Sequence, residues 1–276
     1  MAVAAQPKRT IVGVELVRLM AEEGRRIFTL EEARKLAPKV GIQQAYLPEV
    51  LQLLSQGGWI SGVKRGLYSL SGPFTGGSPV HEFEIASALV PHCAISHWSA
   101  LHYHNLTEQI PRKVFATTTK DTWVPYVRGG GSKGGYPVGK TRYQFIRVIP
   151  ERFFGFEKVW IGEARIQMTD PERTLLDGLA MPQYFGGFGE ILNALDLHQE
   201  KLNLEKIIGY ALRMDIAVAK RLGWLLEKRG ISLSKLERLV KVRCLHFQKL
   251  DPSRPANGPY HKRWMIQENL PGKDTH

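Results

Sequence analysis

Thr29-Leu-Glu-Glu-Ala-Arg-Lys-Leu-Ala37, then Pro38 and Gly41, then Ala45-Tyr-Leu-Pro-Glu-Val-Leu-Gln-Leu-Leu-Ser-Gln56 follow one another near the start of the chain. Thr29 and Glu32 match the S/T-x-x-E spacing in which a hydroxyl and a carboxylate each satisfy an orphan backbone N–H, so a helix is expected over Leu30 to Ala37. Leu47, Val50, Leu51 and Leu54 recur at the i, i+3, i+4, i+7 spacing of one buried helical face. A helix starting near Ala45 keeps Pro48 in its first turn, where no intrahelical N–H bond is lost. Gly57-Gly58 closes that helix, and Trp59-Ile60 and Leu67 to Leu70 read as short strands around Lys64-Arg65-Gly66. Helix, helix and basic-tipped hairpin in this order read as a winged helix-turn-helix, with a first helix over roughly Ile11 to Arg26 completing its core.

That reading assigns roles. Gln43, Gln44 and Tyr46 stand at the N-terminal end of the second helix, with Glu49 and Gln52 on its polar face, where a recognition helix meets base edges. Lys64 and Arg65 suit phosphate contact, which gives affinity without sequence information. The other reading of the same module is a winged helix turned to docking protein.

Charge is spread unevenly along the 276 residues. The net charge is +12, of which residues 1–76 carry +4, residues 77–200 carry −1 and residues 201–265 carry +10. The first excess fits a DNA-binding module. The second implies either a further polyanion-facing surface or a solvated helical face. The length and a hydrophobic fraction of 43% suit two domains with ordinary cores. No apolar run is long enough to span a bilayer and the N-terminus has no signal-like apolar stretch, so a cytoplasmic protein with no membrane association is expected. Cys93 and Cys244 are too few for a disulfide framework or a four-cysteine zinc site.

Ser71-Gly-Pro-Phe-Thr-Gly-Gly-Ser-Pro79 has the composition of a linker, placing the domains at 1–76 and 77–276 and predicting two independently folded units. Beyond it the expected order is mixed α+β. Helices are expected over His81–Val90 and His97–Asn105, and strands over Ala94–Ser96, Val114–Thr118, Arg142–Ile149 and Val159–Met168. From Asp170 onward the pattern is helical: Thr169 and Glu172 match a second capping box ahead of Arg173–Ala180, and Arg173 and Asp177 share a face. Helices then follow over Gly189–His198, Leu204–Arg213, Ile216–Arg229 and Leu233–Val242.

Several motifs invite chemistry that their context refuses. Gly134-Gly-Tyr-Pro-Val-Gly139-Lys140-Thr141 fits the G-x-x-x-x-G-K-[ST] pattern, and Gly129, Gly131 and Gly134 fit G-x-G-x-x-G. A phosphate loop needs a helix starting at its Lys-Thr, whereas the residues after Thr141 alternate as a strand, so no nucleotide and no cofactor is expected here. Lys133 and Lys140 would remain available to an anion. His97, His102 and His104 lack the i, i+4 spacing of a metalloprotease helix, and no metal is expected. Glu163-Ala-Arg165 is a poor match to a nuclease E-x-K element, because Arg cannot deprotonate to act as base. The chain therefore reads as a non-enzyme. A winged-helix-targeted nuclease and a ligand-sensing regulator with a pocket near Trp98, Tyr103 or Phe185 are the alternatives.

Ile95-Ser-His-Trp-Ser-Ala-Leu-His-Tyr-His-Asn-Leu-Thr-Glu-Gln-Ile-Pro111 and Asp170-Pro-Glu-Arg-Thr-Leu-Leu-Asp177 resemble segments of the AbiEi antitoxins of type IV toxin–antitoxin, phage-abortive systems. So do Ala217-Val-Ala-Lys-Arg-Leu-Gly223, Lys262-Arg-Trp264, and Gly57-Gly-Trp-Ile60 with Arg65-Gly-Leu-Tyr68 near the hairpin. The resemblance covers most of the chain, and the order of the motifs is more specific than any one of them. It implies a winged helix that binds inverted repeats in double-stranded DNA upstream of its own operon and represses it. It further implies a C-terminal antitoxin domain that counters an AbiEii-like nucleotidyltransferase toxin without forming a stable complex. No residue for antitoxicity is carried over from a matched motif.

Overall fold

The structure, a computed structural model, describes residues 5–75, 78–126 and 134–270. It is a mixed α+β protein in two compact units that interleave along the sequence. The first takes Met1–Pro91, Trp123–Tyr143 and Trp160–Ile166, and the second takes the remaining segments through His276. The expected boundary after residue 76 lies inside the first unit, which continues to Pro91 and later recovers two further stretches.

In the first unit, α1 (Ala5–Glu22), β1 (Ile27–Thr29), α2 (Leu30–Leu36), α3 (Leu47–Gln56), β2 (Ile60–Lys64) and β3 (Leu67–Leu70) follow one another, with α4 at Glu82–Leu89. Thr29 caps α2 through the reciprocal box that its sequence announces. Short 3-10 turns at Ala37–Val40 and Gln44–Tyr46 carry the chain into α3, whose first turn holds Pro48. The strands form a sheet of order β1-β3-β2, with Ile27 opposite Ser69 and Ile60 opposite Leu70. Strand β1 was not expected. Its three residues are too few to show a period, and its partner lies forty residues away. Leu16, Val17 and Met20 of α1 meet Phe28, Val50, Leu54, Ile60 and Leu70 in one core. Gly13 allows α1 to approach α3 closely, since a Cβ there would stand 3.0 Å from the Val50 side chain.

Arg26 organises the segment expected to be a linker. Its guanidinium donates to the carbonyls of Ser78 and Pro79 at 3.0 Å, lies 3.1 Å from Glu84 and 3.2 Å from Glu163, and is largely buried. Glu84 also accepts from the His81 backbone N–H, and His81 Nδ1 accepts from Phe83 N, so α4 begins with a capping box built on histidine. Residues 71–79 are thereby held to the first unit, apart from Gly76 and Gly77, which lie outside the described residues.

Residues 134–143 form a hairpin: β6 (Tyr136–Val138) runs antiparallel to the start of β7 (Thr141–Val148), with Gly139 and Lys140 in the turn. The Gly-Lys-Thr match thus enters a strand, not a helix. Lys133 and the Gly129–Gly131 stretch lie outside the described residues.

The strands of the second unit belong to a six-stranded sheet of order β6-β7-β5-β4-β9-β8, with β4 at Cys93–Ile95, β5 at Val114–Thr119, β8 at Phe156–Ile161 and β9 at Ala164–Thr169. Strand β4 runs antiparallel to β5 and parallel to β9, where Ile95 faces Met168. The single strand expected over Val159–Met168 is two strands joined at Gly162-Glu163, so Glu163 sits in a turn. Helices α5 (His97–Tyr103), α6 (Pro171–Ala180), α7 (Phe188–His198), α8 (Leu204–Met214) and α9 (Ile216–Lys228) surround a large apolar core, with α6 touching each of the other four. The helix expected over Leu233–Val242 is a single turn, α10 (Glu237–Val240).

The second capping box does not form; a single side-chain cap, one residue later, takes its place. Asp170, not Thr169, caps α6 by accepting from Arg173 N at 2.8 Å, while Thr169 is buried against Thr174 Oγ1 at 2.8 Å. Glu172 turns instead to Lys206 at 2.9 Å and to the Asn203 N–H. Arg173 is almost fully buried: it donates to Asp177 at 2.9 and 3.0 Å and to the carbonyls of Arg152 and Phe154 at 2.7 and 2.8 Å, with the Phe154 ring beneath its guanidinium.

Motifs distant in sequence meet within this unit. Gly223 lies under the Trp264 ring so closely that a Cβ there would stand 2.0 Å from it. Trp264 Nε1 donates to Glu227, and Lys220 stands over the same ring at 5.7 Å. Likewise His104 Nε2 is 2.8 Å from the Thr169 carbonyl.

Two substitutions test this packing. Arg173→Ala leaves the Asp177 carboxylate buried without its cation and should cost about 3–5 kcal/mol. Gly223→Ala forces Trp264 to move and should cost roughly 1–3 kcal/mol. Urea unfolding followed by far-UV circular dichroism reads both, and midpoints that shift no more than those of an exposed control substitution would refute the packing described.

Candidate nucleic-acid interface

The 3-10 turn and helix at Gln44–Gln56 divide sharply. Leu47, Val50, Leu51 and Leu54 are buried, whereas Gln43, Gln44, Tyr46, Glu49 and Gln52 are exposed on one polar face. Tyr46 is 45% exposed. The five side chains expected to read bases are therefore brought together at the start and along one side of α3. Gln44 Nε2 donates to the Arg34 carbonyl at 3.1 Å, fixing the turn against the end of α2. Between Ile42 and Val63 the only charged residue is Glu49. Such a surface is rich in amide donors and acceptors, the groups that pair bidentately with adenine, and poor in the cations that hold phosphate.

The cations must come from flanking elements, and most in this unit already have partners. Arg18 bonds Glu22 at 2.9 Å, Arg25 bonds Glu23 at 3.0 Å and also Glu32, and Lys39 stands 3.5 Å from Glu23. Those pairs are exposed or half-exposed, so each is weak and can exchange for a phosphate. Arg26 cannot, because it is buried among carbonyls and carboxylates.

Lys64 is placed differently from the expectation of a solvated basic tip. Its ammonium donates to the Leu89 carbonyl at 3.0 Å and lies 5.1 Å above the Trp123 ring, and burial lowers its pKa. The contact exists because α4 and the returning segment at Trp123 pack beside β2, a long-range arrangement that the local hairpin pattern could not signal. Arg65, next in sequence, is exposed. Like the exposed Arg34 and Lys35 of α2, it forms no ion pair among the described residues and is open to a phosphate.

The second unit also buries polar groups. His97 is completely buried, with a φ of 54°, and its Nδ1 is 2.7 Å from Ser96 Oγ. Burial pushes its pKa down to about 4, so it is neutral at physiological pH. The rings of Tyr184 and Phe185 flank it. Cys93 is likewise buried, its pKa pushed up to about 12 by desolvation. Among the described residues no three His, Cys, Asp or Glu side chains converge as a metal site, and no helix is long and apolar enough to cross a membrane.

No family model and no curated protein matches the sequence. Among solved structures the chain is similar to the Rv2827c protein of Mycobacterium tuberculosis, with a TM-score of 0.67 and 12% identity over 93% of this chain and 90% of that one. A likeness at that identity is one of fold. It extends across both units.

Adjacent side chains give a sharp contrast. Arg65→Ala should weaken binding to every duplex sequence and lower the salt slope by about 0.9, the release expected per neutralised phosphate. Lys64→Ala should leave the slope unchanged and instead lower the unfolding midpoint, having lost its carbonyl and ring contacts. Gel-shift titrations at several salt concentrations, paired with thermal melts, separate the two, and a reduced slope for Lys64→Ala would return that ammonium to the interface.

Proposed function

We propose that the chain is a DNA-binding repressor that reads duplex operator DNA through its first unit, and that it serves as an antitoxin of the AbiEi type against a nucleotidyltransferase-like toxin. The observation that carries the DNA reading is the amide-rich polar face at the start of α3, in a unit that also exposes Arg65. The order α1-β1-α2-α3-β2-β3, with sheet order β1-β3-β2, supports reading this unit as a winged helix-turn-helix. In that arrangement α3 is the recognition helix and Gln43, Tyr46, Glu49 and Gln52 face base edges, with Gln44 holding the turn in place. The inverted repeats expected in the operator would present two such sites.

The antitoxin part rests on the resemblance and on one structural support. Four of the segments that carry the resemblance pack pairwise in the second unit, Gly223 under Trp264 and α5 against α6, as parts of one framework would. Their spacing in the sequence thus has a physical basis.

Both parts are testable on the full chain. Gln43→Ala and Gln52→Ala should change the preferred operator sequence, each lost bidentate contact being worth roughly 1–3 kcal/mol of discrimination. Selection from a randomised duplex library reads this. Equal weakening on all sequences would mean that α3 does not read bases. Co-expressing the Gln43→Ala, Gln52→Ala chain with the cognate toxin, from a promoter that the chain does not control, should still restore growth. Failure of the wild-type chain to restore growth there would remove the antitoxin role.

A further inference from the structure

The largest charge excess, in residues 201–265, is only partly available to a ligand. Lys206 is held between Asp170 and Glu172 at 3.1 and 2.9 Å, Lys220 and Arg221 are buried against carbonyls, and Arg229 bonds Asp196. Part of the exposed remainder lies at the end of the second unit. Residues 241–263 hold six Lys and Arg side chains, of which Lys241, Arg254 and Arg263 are paired with Glu237, Asp251 and Glu227. Arg243 and Lys262 are exposed and form no ion pair among the described residues.

Two aromatic rings stand on the same lobe. Phe247 precedes strand β10 (Gln248–Lys249) and Tyr260 opens strand β11 (Tyr260–His261), both strands flanking β12 (Ile266–Gln267). The rings are 4.6 Å apart at 58°, with Tyr260 60% and Phe247 40% exposed. The lobe that presents them is fixed from below. Trp264 is fully buried, and Asn269 ties the 251–259 loop by donating to the carbonyls of Asp251 and Pro255 at 2.8 and 3.0 Å and accepting from Asp251 N. Glu268 N donates to the Pro259 carbonyl at 2.8 Å, directly before Tyr260. The rings are thus presented by an ordered loop and need little ordering when a ligand arrives.

We propose that the Phe247–Tyr260 face, with Arg243 and Lys262, is a binding surface for single-stranded nucleic acid. Exposed rings with cations close in sequence, Arg243 four residues before Phe247 and Lys262 two after Tyr260, suit a strand whose bases are unstacked. Each base has a face to lay on an aromatic ring, and the backbone supplies phosphates to the cations. A duplex hides its base faces in its own stack and can use only the cations. This surface belongs to the second unit and is distinct in residues and in ligand from the duplex-reading face of α3.

The test is fluorescence anisotropy with the full chain and labelled 15-nucleotide oligouridine and oligothymidine, each compared with a duplex of equal length that lacks the operator. Single strands should bind more tightly than this duplex at equal salt. Replacing Phe247 and Tyr260 together with Ala should cost on the order of tenfold or more for the single strands and leave duplex affinity unchanged, whereas Tyr260→Phe should retain binding. Arg243→Gln with Lys262→Gln should flatten the salt dependence. Thermal melts confirm that these exposed positions do not unfold the chain. The two oligonucleotides tell whether RNA or DNA is the preferred strand. Equal affinity for duplex and single strand, undiminished binding by the folded ring variant, or no binding of either oligonucleotide would each overturn the proposal. Loss of operator recognition in the Gln43→Ala, Gln52→Ala chain does not bear on it, so the two surfaces fail separately.

Discussion

A guanidinium out of reach of water has to find its acceptors within the protein, and Arg173 finds four bonds to three groups. One acceptor, Asp177, lies one turn further along α6; the other two are backbone carbonyls of the irregular segment between β7 and β8. The same side chain therefore fixes the helix that touches α5, α7, α8 and α9 and the chain segment that leads into the sheet. Arg221 and Lys220 repeat the solution on α9, donating to carbonyls at the ends of α6 and α10, where helix dipoles leave negative character. Buried cations bonded to helix ends are a directional alternative to apolar contact. They specify which helix meets which.

This changes what the net charge means. A basic sequence suggests a basic surface, yet several of the cations counted in each half are internal fasteners. Arg26 and Lys64 serve this purpose in the first unit, and Arg173, Lys220 and Arg221 in the second. Among the exposed cations that form no ion pair in the described residues are Arg34, Lys35 and Arg65 in the first unit and Arg243 and Lys262 in the second. Separation of the two groups by unit is more informative about ligands than the total.

The sequence announced those features that depend on neighbours within one or two turns. The Thr29 box, Pro48 in a first turn, the apolar stripe of α3, and helices α7 to α9 follow from local spacing, and they stand within a residue or two of expectation. What it concealed depends on distant partners. Strand β1 exists because Leu67 to Ser69 comes back beside it. The hairpin from Phe156 to Thr169 looked continuous because its turn, Gly162-Glu163, is short and its flanks are equally β-prone. The shift of the α6 cap to Asp170 follows from Thr169 being drawn inward by Thr174, and histidine at the cap of α4 lies outside the usual capping residues. For the candidate interface, the exposed positions of α3 were legible, because helical periodicity sorts faces. The bonding of Lys64 to Leu89 was not, because no local pattern relates a hairpin to the end of a helix twenty-five residues later.

Interleaving the two units has a consequence for how the chain comes into being. Synthesis is vectorial, and a domain encoded in one continuous segment can close as soon as that segment leaves the ribosome. Here the first unit waits for Trp160–Ile166, where Glu163 meets Arg26, so its completion comes only after much of the second unit's sheet has been made. During that interval the nascent protein exposes unfinished edges of both units at once. Contacts of such long sequence separation slow folding, since the intervening loop must be closed before they form. A truncated product ending before residue 160 would lack a piece of the very unit that begins it, so partial translation would release no complete first unit.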